Sequence, residues 1–289
     1  MLLGIDLGGT NIKAGICDAR GRVLASDSIP TEAHRGPADT LRRMAELGRR
    51  LAGRRRIGAC GVGVPGPLDL ARTRIYVAPN LEGWKDVRVP AVLRRLLGVP
   101  VVMENDANCA AVGESRAWPP CDGFALYTLG TGVGGGIVLN GELWVGASGA
   151  AGELGHMTVD PHGPRCGCGR CGCLEAFASA TAVARAAGRP AHEAFRSRDP
   201  KSRAAVARAA WALGAGIANL IHVFHPDLVV LAGGMARAGR AILDPVRAEV
   251  RRRVFAVQLA KIRIELSRLG DDAGWTGAAL WAARKHRPH

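Results

Sequence analysis

The residues best suited to chemistry in this chain are cysteines that lie close together: Cys166, Cys168, Cys171 and Cys173. A histidine, His156, precedes them. Thiolate sulfur and imidazole nitrogen are ligands that Zn²⁺ prefers in a closed tetrahedral site. The N-terminal residues lack the pattern of a secretion signal, so we interpret the cluster as a metal site rather than as disulfides. Reduced cysteines in a glycine-rich loop are the alternative.

Two glycine-rich turns form a second chemical pattern. Residues 6–10 and 129–136 each follow an apolar strand, and each has a threonine among its glycines. Glycine lets backbone N–H groups approach phosphate oxygens, and a threonine hydroxyl adds a donor. Neither turn is a Walker A loop, and either one alone is also explained as a simple tight turn. Together with a Gly-Gly pair after a third strand, they predict a nucleotide held between two domains.

Side chains near these turns extend the pattern. Asp6, at the end of the first strand, is suited to hold Mg²⁺ or its waters. Lys13 is placed to reach the phosphates from the following hairpin. The candidate nucleotide-binding residues are Asp6, Gly8, Gly9, Thr10, Lys13, Thr131, Gly132 and Gly234.

A polar cluster, residues 104–108, lies where an apolar strand is predicted to end and a helix to begin. Asn105 or Asp106 as a helix N-cap is the plain structural interpretation. A carboxylate at such a junction can equally orient and deprotonate a hydroxyl nucleophile. The residues alone leave both interpretations open.

Composition excludes several classes of protein. The chain has 289 residues, with 48% hydrophobic and 22% charged residues, which is typical of a globular protein. No run of 18 apolar residues predicts a membrane span, and we expect a cytoplasmic protein without a membrane partner. The net charge is +14, but only five of the 39 basic residues are lysines and the arginines are scattered. We therefore interpret the charge as solvated helix faces and expect no nucleic-acid partner.

The apolar patterns predict an alternation of strands and helices. Strands are expected at 2–6, 12–17, 23–28, 57–64, 99–103, 123–129, 136–139, 228–231 and 262–266. Helices are expected at 36–53, 107–116, 174–187, 201–223, 236–255 and 273–284, with mostly loop over 146–173. Two strand-rich halves, each opening with a glycine turn after an apolar strand, predict a duplicated α/β fold with a cleft between the halves.

The motifs, taken in order, resemble the ROK family of bacterial sugar kinases and related repressors. They are Asp6–Thr10, Gly63–Pro67, Pro79–Leu81, Gly83-Trp84, 104–108 and 129–136. The resemblance runs from Leu3 to Leu280. It implies the two-domain actin-like (ribonuclease H-like) ATPase fold with the active site in the interdomain cleft. We expect an N-terminal domain at 1–117, completed by the C-terminal helix 277–289, and a C-terminal domain at 118–276 that carries the zinc loop.

The resemblance also implies an activity, the ATP-dependent and Mg²⁺-dependent phosphorylation of a hexose. Glucose is the favoured substrate; N-acetylmannosamine, N-acetylglucosamine, fructose and allose kinases share the motifs. Asp106 would be the catalytic base. The implied sugar ligands are Gly66, Asn80, Asn105, Asp106, Glu153, His156 and Glu175. Seen in isolation, Glu153 and Glu175 would be read as residues of solvated helix faces.

The family's cysteine pattern assigns the metal ligands. It falls on Cys166, Cys168 and Cys173, with His156 as the fourth ligand and Cys171 at a variable position. A shell filled by three thiolates and one imidazole implies a structural zinc. The family resemblance further implies a homodimer or homotetramer. A sugar-responsive repressor is the alternative from another class, disfavoured because the first strand begins at Leu2 and a helix-turn-helix domain would precede it.

Overall fold

The computed structural model describes residues 1–18, 21–78 and 81–286. It divides into two compact units. The first comprises Met1–Trp118, Val145–Ala151 and Asp271–His289, and the second Pro119–Trp144 and Gly152–Gly270. The predicted boundaries differ from these units at three places, since Trp118, 145–151 and 271–276 were expected in the second domain. The physical reason for the placement of 145–151 is Arg72, which donates a hydrogen bond of 2.9 Å to the Gly149 carbonyl.

The first unit is built on a five-stranded sheet in the order β3-β2-β1-β4-β7. Its strands are β1 (Leu2–Leu7), β2 (Asn11–Cys17), β3 (Val23–Pro30), β4 (Ala59–Val64) and β7 (Val101–Asn105), and a small ribbon pairs β5 (Ile75–Val77) with β6 (Lys85–Val87). Its helices are α1 (Gly36–Ala52), α2 (Val89–Leu97), α3 (Asp106–Arg116) and α10 (Ala273–Lys285). β1, β2 and β3 are antiparallel neighbours, whereas β1, β4 and β7 run parallel.

The second unit repeats this plan in the order β10-β9-β8-β11-β12. Its strands are β8 (Gly123–Leu129), β9 (Val133–Leu139), β10 (Glu142–Leu143), β11 (Leu228–Ala232) and β12 (Arg263–Leu266). Its helices are α4 (Glu175–Ala178), α5 (Ala180–Ala187), α6 (Ala191–Ala194), α7 (Pro200–Phe224), α8 (Arg240–Arg251) and α9 (Ala256–Leu259). Every residue of β11 is buried, because parallel central strands are covered on both faces.

Both sheets place three antiparallel strands beside two parallel ones, with the first strand of the unit at the centre. In each unit the hairpin strand that follows the central strand begins just after a glycine turn. The predicted duplicated α/β architecture is therefore confirmed. Each unit has its own apolar core, centred on Leu3 and Ile5 in the first and on Leu213 and Ile217 in the second.

Two predicted helices are wrong in extent. The stretch 174–187 is broken at Ser179, whose backbone is extended (φ −74°, ψ 157°) and whose hydroxyl caps α5 by accepting from the Ala182 N–H. A capping serine favours a new helix start over continuation. The stretch 236–255 is a 3₁₀ turn followed by α8, because Gly239 between them has φ 62°. β9 also begins earlier than expected, at Val133.

Helix α10 packs on the first unit at close range, and glycines make this possible. A Cβ at Gly61 of β4 would lie 1.7 Å from the Ala278 carbonyl oxygen, and one at Gly277 would lie 1.6 Å from the Cys109 carbonyl oxygen. Backbone therefore meets backbone on both faces of α10, toward the sheet and toward α3. Trp275, fully buried, fills the space over Gly15.

Helix α7 is long and apolar enough, by length and composition, to cross a membrane. However, 67% of its most apolar window is buried inside the fold. Leu213 and Ile217 are fully buried in the core of the second unit, and Gly216 lies against Leu174. These contacts are those of a core helix in a globular domain.

Candidate active site and metal centre

The junction between β7 and α3 shows which residue is the helix N-cap, a point that the sequence left open. Asn105 is the N-cap of α3, because its Oδ1 accepts from the backbone N–H groups of Ala107 (3.0 Å) and Asn108 (3.2 Å). Asp106 is the first helical residue, and its Oδ1 lies 2.8 Å from the Ala107 nitrogen. A carboxylate at this position is stabilised by the helix dipole. Capping is thus performed by Asn105 and not by Asp106.

Glu104 anchors this junction from inside the fold. Its side chain is 1% exposed, and its Oε2 accepts from Arg72 Nε at 2.8 Å. Its Oε1 accepts from the Asn105 N–H (2.8 Å) and from Asn108 Nδ2 (3.1 Å). A buried carboxylate is tolerated only when it is paired and hydrogen-bonded in this way. The network fixes the end of β7 and, through Asn105, the start of α3.

Several charged side chains lie around the end of β1. Asp6 pairs with Lys13 in the register of β1 and β2, and Lys13 Nζ lies 3.4 Å from Asp271 Oδ1. Burial raises the pKa of Asp6 to about 7, with a further rise from the negative charges of Asp106 and Asp271 and an opposing effect of Lys13. The Gly274 backbone lies so near that a Cβ there would be 2.6 Å from Asp6 Oδ2. The site is therefore short of positive charge.

The first phosphate-loop candidate is the turn between β1 and β2. Gly9 and Thr10 are exposed there. The turn is held by the Gly8 N–H, which donates to the Asn11 carbonyl at 3.0 Å, and by the Thr31 hydroxyl, which donates to the Gly8 carbonyl at 2.6 Å. The loop is thus fixed at Gly8 while its tip faces solvent.

The second candidate is the turn between β8 and β9, with Thr131 exposed at its tip. The Val133 N–H donates to Glu175 Oε2 at 3.0 Å, and a Cβ at Gly132 would lie 2.4 Å from that same oxygen. Gly234 begins the 3₁₀ turn after β11, directly beside Gly233, whose backbone approaches Leu129. The structure therefore brings the predicted residues Thr131, Gly132 and Gly234 to the same edge of the second unit's sheet.

The predicted sugar ligands belong to both units. Gly66, with φ 90°, needs to be glycine because a Cβ would lie 2.3 Å from the Val77 carbonyl oxygen. Asn80 lies outside the described residues. In the second unit, Glu153 and His156 are exposed at the two ends of one short turn, where the His156 N–H donates to the Glu153 carbonyl at 3.0 Å. Glu175 is half-buried at the start of α4.

The predicted metal ligands form a single group. The ligand atoms of His156, Cys166, Cys168 and Cys173 all lie within 4.8 Å of one another. Cys166 Sγ is 3.8 Å from His156 Nδ1, and Cys168 Sγ is 3.6 Å from Cys173 Sγ. A tetrahedral zinc with bonds of about 2.0–2.3 Å has edges of about 3.3–3.8 Å. The four side chains therefore fit zinc, and Cys171 is not part of the group.

Backbone hydrogen bonds hold the metal loop in shape. The Cys166 N–H donates to the Arg170 carbonyl at 2.7 Å, and a bridge pairs Thr158 with Cys173. The backbone N–H of Arg170 lowers the pKa of Cys168, which favours a thiolate ligand, whereas burial raises the pKa of Cys166 to about 12. A bound cation would counter that effect of burial.

The ROK family profile matches residues 2–285. The chain belongs to the ROK family. It is 34% identical to a glucokinase of Thermotoga maritima over 303 residues, with 96% of each chain covered. The structure of a ROK hexokinase from Thermus thermophilus matches with a TM-score of 0.84 and 38% identity, covering 98% of each chain. A ROK family glucokinase from Streptomyces griseus, solved with glucose and AMPPNP, matches with a TM-score of 0.86 and 32% identity, covering 98% of this chain and 99% of that one.

Membership of the ROK family confirms the two-domain actin-like ATPase fold implied by the resemblance. Sequence reasoning nevertheless missed three residues at the site: Arg72, Asp271 and Thr181. Asp271 had a signal, since it belongs to a pair of acidic residues, Asp271 and Asp272, directly before the last helix. Arg72 and Thr181 had none, because their partners are separated from them by 32 and 50 positions along the chain.

Proposed function

We propose that this ROK protein phosphorylates a hexose with ATP and that glucose, at its 6-hydroxyl, is the favoured substrate. The observation that carries the proposal is the β7–α3 junction, where Asn105 caps the helix and Asp106 occupies its first position. The identity to glucokinases over nearly the whole chain supports the same conclusion. Phosphoryl transfer depends mainly on positioning and charge neutralisation, with one carboxylate oriented toward the nucleophile.

Asp106 acts as the general base in this mechanism. Its carboxylate accepts the proton of the attacking hydroxyl while the hydroxyl oxygen bonds to the γ-phosphorus. The bond from that phosphorus to the β–γ bridging oxygen breaks, and ADP leaves with the electron pair. Asn105 hydrogen-bonds the sugar beside the base, and Glu104 with Arg72 keeps both residues in place.

The nucleotide binds through the two glycine turns. Thr10 and Thr131 supply hydroxyl donors, and backbone N–H groups of the glycines approach the phosphates. Asp6 is the residue that would hold Mg²⁺, a fit supported by its raised pKa, since a divalent cation would offset the repulsion by Asp106. When bound, Mg²⁺ neutralises charge on the phosphates. Lys13 contributes positive charge from the adjacent strand.

The metal centre is structural. His156, Cys166, Cys168 and Cys173 would hold Zn²⁺ in a closed shell, which leaves no position for a reactive water. The centre holds the turn that carries Glu153 and the helix start that carries Glu175. Both acids, with Gly66, Asn80 and His156, complete the proposed sugar ligands. A His156 ring bound to zinc through one nitrogen retains the other for a sugar hydroxyl.

A coupled assay of ADP release across a panel of hexoses and N-acetylhexosamines tests the proposed function. We expect sugar-dependent ADP release with the highest kcat/KM for glucose, and a strongly reduced rate with Asp106→Asn at the same enzyme concentration. Sugar-independent ATP hydrolysis alone would overturn the kinase assignment. A higher kcat/KM for N-acetylmannosamine would move the assignment to that sugar.

The remaining expectations from the family belong to the same proposal. The enzyme acts in the cytoplasm, as a homodimer or homotetramer. Sedimentation velocity at micromolar concentration distinguishes these assemblies from a monomer.

A further inference from the structure

The second phosphate loop is held by the segment that follows the metal loop. Three hydrogen bonds connect them: Val133 N–H to Glu175 Oε2 at 3.0 Å, Ala180 N–H to the Gly130 carbonyl at 2.8 Å, and Thr181 Oγ1 to the Thr131 carbonyl at 2.8 Å. They come from both sides of the break at Ser179. All three end on residues 130–133, so the loop is fixed along its whole length.

The contact with Glu175 is tight. A Cβ added at Gly132 would lie 2.4 Å from Glu175 Oε2, so the carboxylate packs directly against the backbone of the loop. Its other oxygen, Oε1, lies 3.4 Å from Cys166 Sγ, in the metal group. One side chain therefore contacts the phosphate loop and the metal loop at once.

The two ends of the metal loop are themselves anchored. The Leu174 N–H donates to the Met157 carbonyl at 2.9 Å, and Leu174 and Phe177 are buried in the core of the second unit. A bound metal would fix Cys166 and Cys173 relative to this anchored helix start. The metal would then influence the position of Glu175 in two ways. Cys166 contacts its carboxylate, and Cys173 precedes it by two residues in the chain.

We propose that Thr181 and Glu175 are positioning residues of the phosphate loop, and that through Glu175 the metal centre supports nucleotide binding as well as sugar binding. The proposal rests on the assignment of 129–133 as a phosphate loop. Thr181 has no part in the sugar site proposed above, so it isolates the effect on the nucleotide. Its hydroxyl fixes the Thr131 carbonyl and thereby the orientation of the following peptide N–H.

The test compares Thr181→Val with Thr181→Ser in the zinc-loaded enzyme. Valine keeps the shape of threonine but removes the donor, whereas serine keeps the donor; the Ala180–Gly130 bond is present in both. We expect Thr181→Val to raise the Kd for AMPPNP, measured by calorimetry, and the KM for ATP by about 3- to 10-fold. The KM for sugar and the melting temperature should stay near wild type, and Thr181→Ser should restore nucleotide affinity.

A second arm measures AMPPNP binding to wild-type protein before and after removal of zinc by a chelator, with circular dichroism to verify the fold. We expect the affinity to fall on removal and to return when zinc is added back. Unchanged nucleotide affinity in Thr181→Val would overturn the positioning role, and unchanged affinity without zinc would overturn the metal coupling. A wild-type protein that binds no AMPPNP would instead refute the proposed kinase function on which the inference rests.

Discussion

The carboxyl groups of Asp6 and Asp106 interact strongly enough that the charge of Asp106 helps to raise the pKa of Asp6 to about 7. Asp6 ends β1 and Asp106 begins α3, so the fold brings together two acids separated by 100 positions in the chain. Burial contributes most to the shift, and Lys13 only partly opposes it. Strongly perturbed pKa values of this kind cluster at functional sites.

This relationship predicts a pH dependence of stability. The folded protein, free of metal and nucleotide, keeps a proton on Asp6 up to about pH 7, whereas the unfolded chain loses it near pH 3.8. Stability from this group is therefore fully present below about pH 4 and is lost as the pH rises to about 7. Asp6→Asn should raise the free energy of unfolding at pH 8 by on the order of 2–4 kcal/mol relative to its effect at pH 4. Urea denaturation at both pH values measures this, and an equal effect at both would contradict the buried acid.

Asp106→Asn keeps the size of the side chain and removes the proton acceptor. We expect kcat to fall by about 10²–10⁴-fold, the range for loss of a general base, with little change in sugar affinity. Steady-state kinetics and sugar calorimetry on the same preparation check this. Asp86→Asn, on the surface of the first unit, is the matched control and should keep wild-type kcat. Near-normal turnover of Asp106→Asn would exclude Asp106 as the base.

Gly132→Ala should impair nucleotide use, because the added Cβ would meet Glu175 Oε2 at 2.4 Å and displace it from the Val133 N–H. We expect the KM for ATP to rise by at least about 10-fold, more than the loss of one hydrogen bond, since the loop must also move. Gly130→Ala in the same loop is the control, since a Cβ there has no protein atom within 4 Å. An equal rise in the KM for ATP in both variants would mean that a methyl group anywhere in the loop obstructs the nucleotide.

The proposed ligand group predicts that Cys171 is not needed for zinc binding. Its thiol is outside the four-ligand group, so Cys171→Ser should keep one zinc per chain. Cys168→Ser and His156→Ala should lose zinc, because a hydroxyl is a poor ligand and alanine offers none. Metal content by atomic absorption, normalised to protein, distinguishes these outcomes. A zinc-free Cys171→Ser with zinc retained in His156→Ala would establish a four-cysteine site instead.

Arg72→Met should destabilise the first unit by about 3 kcal/mol, because it leaves the Glu104 carboxylate buried without its partner. Arg74→Met is the matched control: its ion pair with Asp86 is exposed at both ends, so the loss should be within about 0.5 kcal/mol. Chemical denaturation of the three proteins supplies the comparison. A change of similar size in both variants would show that Glu104 does not depend on Arg72.

Local patterns predicted much of this molecule. The central strands and the helix at Asp106 follow from apolar runs and a capping residue, and the ligand group was predicted by the resemblance to the family's cysteine pattern. The helix breaks at Ser179 and Gly239 have local causes that the apolar pattern did not reveal. The other features that were not predicted depend on distant contacts. The assignment of 145–151 to the first unit depends on a hydrogen bond from Arg72 to Gly149, and the role of Thr181 depends on a carbonyl 50 positions away. No local window contains such information.

The packing of α10 has a consequence for biosynthesis. The backbone of Gly61 accepts this helix at a distance that no other residue would allow, yet more than 200 positions separate Gly61 from Ala278. A ribosome that has released the first five-stranded sheet has not yet made the helix that covers one face of it. One face of this sheet therefore stays uncovered while the second unit is being translated. The later docking of α10 is also slow, because closing so long a loop costs entropy. We expect the nascent chain to bind chaperones through that uncovered face until α10 has left the exit tunnel.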